Sequence, residues 1–279
     1  YRGVNPASGI VLYYALPELP KTDEITLGVT DAAGTLVRSY TSKAPAKSHK
    51  WDGGPAPDPL LPKAKGLNRF VWDLRHPSIT GVPDVYFEAS WAGHRAVPGE
   101  YTFTLTAGGQ TLATRARILP NPLYATDAAT YQTHHALMSE MEAALSQMHR
   151  RINELHAKQR QLAALLKQLP DGDKYTALKS DGEALRQKLK AWDADMVNRR
   201  TRAYDDVENF PNKFTAHYFF LLNHAESDLP LVTASTLQRR AELDAQWATL
   251  KARADELMEK DLPAFNGRLW QAGVGAIWK

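Results

Sequence analysis

The chain has 279 residues, 43% of them hydrophobic and 23% charged, and it contains no cysteine. These values are typical of a folded protein of about two domains. The absence of cysteine excludes disulfides, thiolate metal sites and a cysteine nucleophile. The net charge of +3 is too small to indicate a nucleic-acid-binding protein, and no apolar run reaches the roughly 18 residues of a membrane span.

Short β-type segments separated by turn signals fill the N-terminal part of the chain. The clearest is GLNRFVWDLRHP at residues 66–77, where Phe70 and Trp72 alternate with other residues and Pro77 ends the strand. Such strands predict an antiparallel immunoglobulin-like or fibronectin-III-like β-sandwich over residues 1–120. The predicted strands cover residues 10–15, 24–30, 35–40, 67–74, 101–105 and 111–119, with a weaker candidate at 85–87.

Pro120-Asn121-Pro122 marks a boundary, because two prolines restrict the neighbouring backbone. Beyond it the apolar period changes from two residues to about three and a half, which predicts an antiparallel helical bundle over residues 121–279. We expect three long helices plus short ones, so the fold class is α+β with two domains. The long helices are predicted at about 126–169, 174–200 and 235–260.

Four residues are candidates for ligand binding. Trp51 lies in a loop rich in proline, lysine and glycine, and Trp91, His94 and Arg95 lie in a loop before the Pro98-Gly99 turn. Exposed aromatic side chains next to arginine are typical of binding hot spots. The alternative interpretation is that both tryptophans are buried, Trp51 as a lid on the sandwich and Trp91 where the two domains meet.

Sequence motifs for chemistry are not found. His134 and His135 are adjacent, and adjacent helical side chains point about 100° apart, so this pair does not predict a chelate. Asp73 with Glu88 or Glu100 could form the carboxylate pair of a glycosidase, but nothing in the sequence brings them together. We therefore predict no catalytic residue, no metal site and no cofactor. The cluster Arg199-Arg200-Thr201-Arg202 indicates ion pairing at a helix end or a small docking patch.

Several sequence segments along the chain resemble those of a known family. They are GIVLYY at 9–14, ITLGVTDAAG at 25–34, GLNRFVWDLR at 66–75, PGEYTF at 98–103 and DLPAFN at 261–266. Together they resemble the C-terminal region of large bacterial proteins with sortilin-like, BNR-repeat β-propellers, which are often labelled glycosyl hydrolases. In that family an immunoglobulin-like or flagellar-hook-cap-like sandwich and a helical tail follow the propeller. No BNR Asp-box motif occurs here, so the resemblance transfers no catalytic residue.

The resemblance implies a non-catalytic accessory region of a secreted or periplasmic protein. It would pack on the propeller of its parent chain or on a protein partner, or pair with a second copy through the helices. The chain begins at Tyr1 without a signal-peptide pattern, so we expect a fragment or processed product. Two alternatives stay open: a glycan-processing hydrolase, and a carbohydrate-binding module that needs exposed Trp51 and Trp91. The aromatic and apolar residues near the C-terminal end are expected to pack back on the body: Trp270, Ile277 and Trp278.

Overall fold

The protein is a mixed α+β structure in which antiparallel strands come first and helices follow. The computed structural model describes residues 3–20, 22–45, 49–227 and 229–275. Within these residues there are two antiparallel sheets, one of four strands in the order β3-β2-β5-β6 and one of two strands, β1-β4. The strands are β1 (Ile10–Leu16), β2 (Thr26–Thr30), β3 (Leu36–Thr41), β4 (Gly66–Trp72), β5 (Gly99–Ala107) and β6 (Gln110–Ile118).

The two sheets share an apolar core in which Trp72 of β4 is central. This side chain has no exposed surface, and its ring lies 5.2 Å from Tyr101 and 5.7 Å from Phe103 of β5, measured between centroids. The two-residue alternation predicted for GLNRFVW is therefore confirmed, since Phe70 and Trp72 point inward together. The weaker candidate at 85–87 forms no strand, although it lies within the continuous described stretch 49–227.

The connection from β4 to β5 leaves the sheets and enters the helical core. Between residues 79 and 91 its buried apolar side chains pack with those of the helices rather than with Trp72 and its neighbours. Because residues 79–91 have no regular backbone ladder, their polar backbone groups bond to particular partners, as where the amide of Tyr86 donates to the carbonyl of Thr201 at 2.9 Å. The buried apolar residues between positions 79 and 91 are Ile79, Val82, Val85, Phe87 and Trp91.

Helices form the second half, and their apolar stripe follows the predicted period. The first has 41 residues and is about 62 Å long; Asp127 caps it by accepting a hydrogen bond from the amide of Thr130 at 2.7 Å. The helices are α1 (Ala128–Gln168), α2 (Asp173–Met196), the single turn α3 (Asp206–Asn209), α4 (Phe214–Ala225), α5 (Ala234–Glu256) and α6 (Leu262–Gln271).

The helical layer is more complex than three long helices with short additions. Tyr218 and Phe219 of α4 and Phe265 of α6 are fully or almost fully buried, so these shorter helices build the core as well. Helical structure also continues past the predicted end at 260, because a π turn at Leu257–Asp261 joins α5 to α6. The wider turn accommodates Pro263, which has no N–H for the helical ladder.

The prediction for the C-terminal end is wrong for Trp270, which is 77% exposed; Ile277 and Trp278 lie outside the described residues. None of the helices in the described part of the chain combines the length and the apolar character that a membrane span needs.

Candidate metal centre

Three histidines from distant parts of the chain meet where the strands pack on the first helix. They are His76, just after β4, His94, shortly before β5, and His135 in the second turn of α1. One ring nitrogen from each lies within 4.8 Å of the other two. Imidazole nitrogen is a preferred ligand of zinc and of other late transition metals, so this group is a candidate metal centre.

A short backbone ladder places His76 opposite His94. The amide of His76 donates to the carbonyl of His94 at 3.0 Å, and the amide of Ala96 donates to the carbonyl of Leu74 at 2.7 Å. This pairing requires a glycine at position 93, because a Cβ there would lie 2.4 Å from the carbonyl oxygen of His76. The ladder brings the two rings into a parallel stack, with centroids 4.2 Å apart.

Glu142 on α1 fixes the orientation of His94. It lies seven residues after His135, so both side chains are on one face of the helix, two turns apart. One carboxylate oxygen accepts from the amide of His94 at 2.6 Å, and the other lies 2.9 Å from Nδ1 of its ring. A histidine that ligates a metal generally donates its second ring N–H to a carboxylate or carbonyl, and Glu142 supplies such an acceptor.

The hydrogen bonds determine which nitrogens carry protons. A carboxylate only accepts, so Nδ1 of His94 carries the proton and Nε2 of the neutral ring carries the lone pair. That Nε2 lies 2.7 Å from Nδ1 of His135, which is the donor when His94 is in this neutral tautomer. A metal ion at this point would take the lone pair of His94 and displace the proton of His135 to its other nitrogen, freeing a second lone pair.

Burial favours the neutral, metal-binding form of two of the rings, His76 and His135. Desolvation, together with the nearby His94 and His135, lowers the pKa of His76 to about 3. Desolvation likewise lowers the pKa of His135. A buried guanidinium adds to the effect at His76: Arg38 donates to the carbonyl of His76 at 2.6 Å and pairs with Asp58 at 2.5 Å.

A cavity of about 280 Å³ lies beside the cluster. His76 and His135 form part of its wall, whereas His94 is buried behind them and is only 1% exposed. Nitrogens bound to one tetrahedral zinc ion are about 3.3 Å apart. To reach that geometry, the ring of His76 has to rotate out of its stack on His94, and the cavity gives it room to do so.

The structure places the four predicted binding residues in different surroundings. His94 belongs to the histidine cluster, and Arg95 lies on the surface beside it. Trp91 is 6% exposed, and its indole N–H donates to the carbonyl of Gly53 at 2.5 Å. Trp51 is half-buried, with its N–H donating to the carbonyl of Val85 at 3.0 Å. With Trp91 buried, these two rings do not form the open surface on which a sugar could stack.

Sequence reasoning assigned no metal site, and it considered His135 only together with its neighbour. His134 is in fact buried and bonds through Nε2 to the carbonyl of Ala225 at 2.9 Å, while His135 turns to His76 and His94. The useful signal was that His76 and His94 lie near the two ends of the connection between β4 and β5. The sequence does not show that they meet, because the residues between them pack into the helical core.

Comparison of the chain with protein-family models, with curated proteins and with solved structures finds no match in any of the three. The relationship to propeller proteins stays a prediction.

Proposed function

We propose that this protein binds one divalent transition-metal ion through His76, His94 and His135. The observation that carries the proposal is the convergence of three imidazole nitrogens within 4.8 Å of one another. The carboxylate of Glu142 behind His94 supports it, because it holds that ring in the tautomer that a metal requires. Three neutral nitrogen ligands suit Zn²⁺, Cu²⁺ or Ni²⁺ better than Ca²⁺ or Mg²⁺, which prefer oxygen.

The ion would connect the two halves of the molecule. His76 and His94 are tied to the ends of strands, and His135 is part of the long helix. An ion held by all three binds the folded chain and not the unfolded one, so it stabilises the folded state by mass action. The proposed role is therefore that of a metal-binding module in which the ion fixes the strands against α1.

Titration calorimetry of the chelator-treated protein with Zn²⁺ tests the proposal. We expect one ion per chain. His135→Ala should abolish this binding because it removes one of the three ligands, and it should leave the fold intact because the side chain of His135 is only partly buried. Glu142→Gln should weaken affinity by about 10- to 100-fold, since the amide no longer orients and polarises His94 as a carboxylate does.

His224→Ala is the matched control, because His224 is an exposed helical histidine stacked on Phe220, away from the cluster. It should bind Zn²⁺ like the wild type. Absence of stoichiometric binding in the wild type, or equal binding by His135→Ala, would contradict the proposal.

A second candidate function is the accessory role that the resemblance implies, and one feature of the sheets supports it. We propose that β1–β4 and the four-stranded sheet are an immunoglobulin-like sandwich whose smaller layer is incomplete. A groove of about 660 Å³ lies between β1 and the hairpin β5–β6, and Leu112 on β6 is 71% exposed at its edge. In the described residues β1 has a paired neighbour on one side only, β4.

The proposed occupant of this groove is an extended apolar strand of the propeller in the parent chain. An open strand edge offers unpaired amides and carbonyls to such a strand, and the groove offers it an apolar surface. The leucine and phenylalanine side chains that line the groove are Leu12, Leu16, Leu19, Leu27, Phe103, Leu105 and Leu112.

Hydrogen exchange tests this second candidate by comparing this chain with a longer parent polypeptide that includes the preceding region. We expect the amides of β1 to exchange more slowly in the longer polypeptide, and Leu112→Glu to restore fast exchange. Leu119→Glu is the control, because Leu119 is equally exposed but lies outside the groove. Equal exchange of β1 with and without the preceding region would exclude this role.

A further inference from the structure

The cavity beside the histidine cluster determines what the metal ion would face. Two ligand residues, His76 and His135, form part of the cavity wall, and the third, His94, lies on the buried side. An ion held by the three nitrogens therefore has protein behind it and the cavity in front of it. Its coordination sphere is open toward the cavity unless the chain supplies a further ligand there.

The described residues supply no such ligand in the present arrangement. The group of converging side chains consists of the three histidines alone. Glu142 uses both carboxylate oxygens on His94. Of the acids on the cavity wall, Asp31 accepts from the amides of Ala33 and Thr35 through Oδ1, at 2.9 and 2.8 Å, and Glu100 pairs with Arg115 at 3.3 Å. Neither carboxylate belongs to the group that converges with the three histidines.

Zinc normally takes four ligands, and structural sites fill all four positions with protein side chains. Three histidines with a fourth, solvent-facing position are instead the arrangement in which zinc acts as a Lewis acid on a small bound ligand. The cavity of about 280 Å³ has room for several water molecules, each of which occupies about 30 Å³ in the liquid.

We infer that the metal centre keeps one exchangeable coordination position open to this cavity and binds a small oxygen- or nitrogen-donor ligand there, water or a small anion. The inference rests on the proposed metal binding. It makes the centre a ligand-binding Lewis-acid site and not a closed structural clamp. The cavity limits the ligand to a small molecule or to the narrow end of a larger one, because its volume is about 280 Å³ and α1, the β2–β3 turn and the start of β5 form its walls.

Cobalt substitution with azide as the probe tests this inference. Co²⁺ replaces zinc in nitrogen sites and its visible absorption reports coordination number and ligands. We expect the cobalt protein to show the bands of a four-coordinate ion, and azide to change these bands saturably. Ala33→Phe places a ring at the cavity wall, so it should weaken azide binding by about tenfold or more while Co²⁺ affinity stays unchanged.

Ala129→Phe is the control, because Ala129 is exposed on α1 and does not line the cavity; it should leave azide binding unchanged. Cobalt bands that do not respond to azide would overturn the open position while leaving metal binding intact. Absence of cobalt bands would overturn metal binding itself, and with it this inference. An azide response that Ala33→Phe does not weaken would show that the open position does not face the cavity.

Discussion

At the scale of single residues, His149 shows what full burial does to a titratable group. It has no exposed surface, and its ring lies among Phe87, Trp91 and Phe219. Nδ1 donates to the carbonyl of Thr80 at 2.7 Å, and Nε2 has no hydrogen-bond partner among the described residues. Desolvation lowers the pKa of this imidazole to about 4, so the folded protein keeps the ring neutral.

His149 should make the protein less stable in mild acid. The unfolded imidazole takes up a proton below its ordinary pKa of about 6.5, whereas the folded one does so only near 4. Protons therefore favour the unfolded state across this interval, and the free energy of unfolding should fall by roughly 3 kcal/mol between pH 6.5 and pH 4. Urea denaturation at a series of pH values measures the loss.

His149→Asn isolates this contribution, since its amide nitrogen can replace Nδ1 as the donor to Thr80 but does not titrate. Its unfolding free energy should depend less on pH than that of the wild type, while groups such as His76 titrate in both proteins. Parallel pH profiles for the two proteins would rule out the assignment to His149.

Residue types alone predicted little of the histidine cluster. His94 stood out because it lies next to Trp91 and Arg95, but its partners His135 and Glu142 are 41 and 48 residues away in the sequence. Neither spacing corresponds to one helix or one hairpin. The cluster exists because the two ends of the β4–β5 connection pair with each other and lie next to α1. A single sequence contains no signal for this pairing.

At the scale of elements, the backbone ladder between residues 74–76 and 94–96 depends on Gly93. A Cβ at this position would lie 2.4 Å from the carbonyl oxygen of His76 and 2.5 Å from that of Pro77. Both atoms belong to the backbone, so neither can rotate away as a flexible side chain could.

Gly93→Ala should therefore force the two segments apart. We expect it to lower the free energy of unfolding by about 2–3 kcal/mol, as for overpacking at a rigid site, and to weaken Zn²⁺ binding because His76 and His94 separate. Gly99→Ala is the control: the methyl group that it adds would meet no atom within 4 Å beyond its chain neighbours, so it should be nearly neutral. Chemical denaturation and calorimetry measure both quantities, and an unchanged Zn²⁺ affinity in Gly93→Ala would contradict this account.

The regular elements were predictable because each repeats a simple period. Alternating Phe70 and Trp72 indicated β4, and apolar residues that recur about every three and a half positions indicated α1 and α2. The continuation into α6 was not predicted, because Leu262-Pro263 looks like a helix end and the π turn that accommodates the proline has no sequence signature.

At the scale of the whole molecule, two apolar cores lie side by side. One lies between the sheets and the other among the helices, and the β4–β5 connection contributes to the second although its ends belong to strands. The change from strands to helices near Pro120 was predicted from the sequence, because the spacing of apolar residues changes there from two to about three and a half residues. The sequence could not predict that residues 79–91 join the helices, since their apolar side chains follow no regular spacing and reveal no partner.

This connection also has a consequence for how the protein can change over evolutionary time. Genes often exchange whole domains by recombination at linkers, and Pro120-Asn121-Pro122 resembles such a crossover point. A recombinant that joined the strands to an unrelated helical tail would still carry Val82, Val85 and Phe87, now without the helices that cover them. The two halves are therefore expected to be inherited together, so that relatives should preserve or lose them as a single unit.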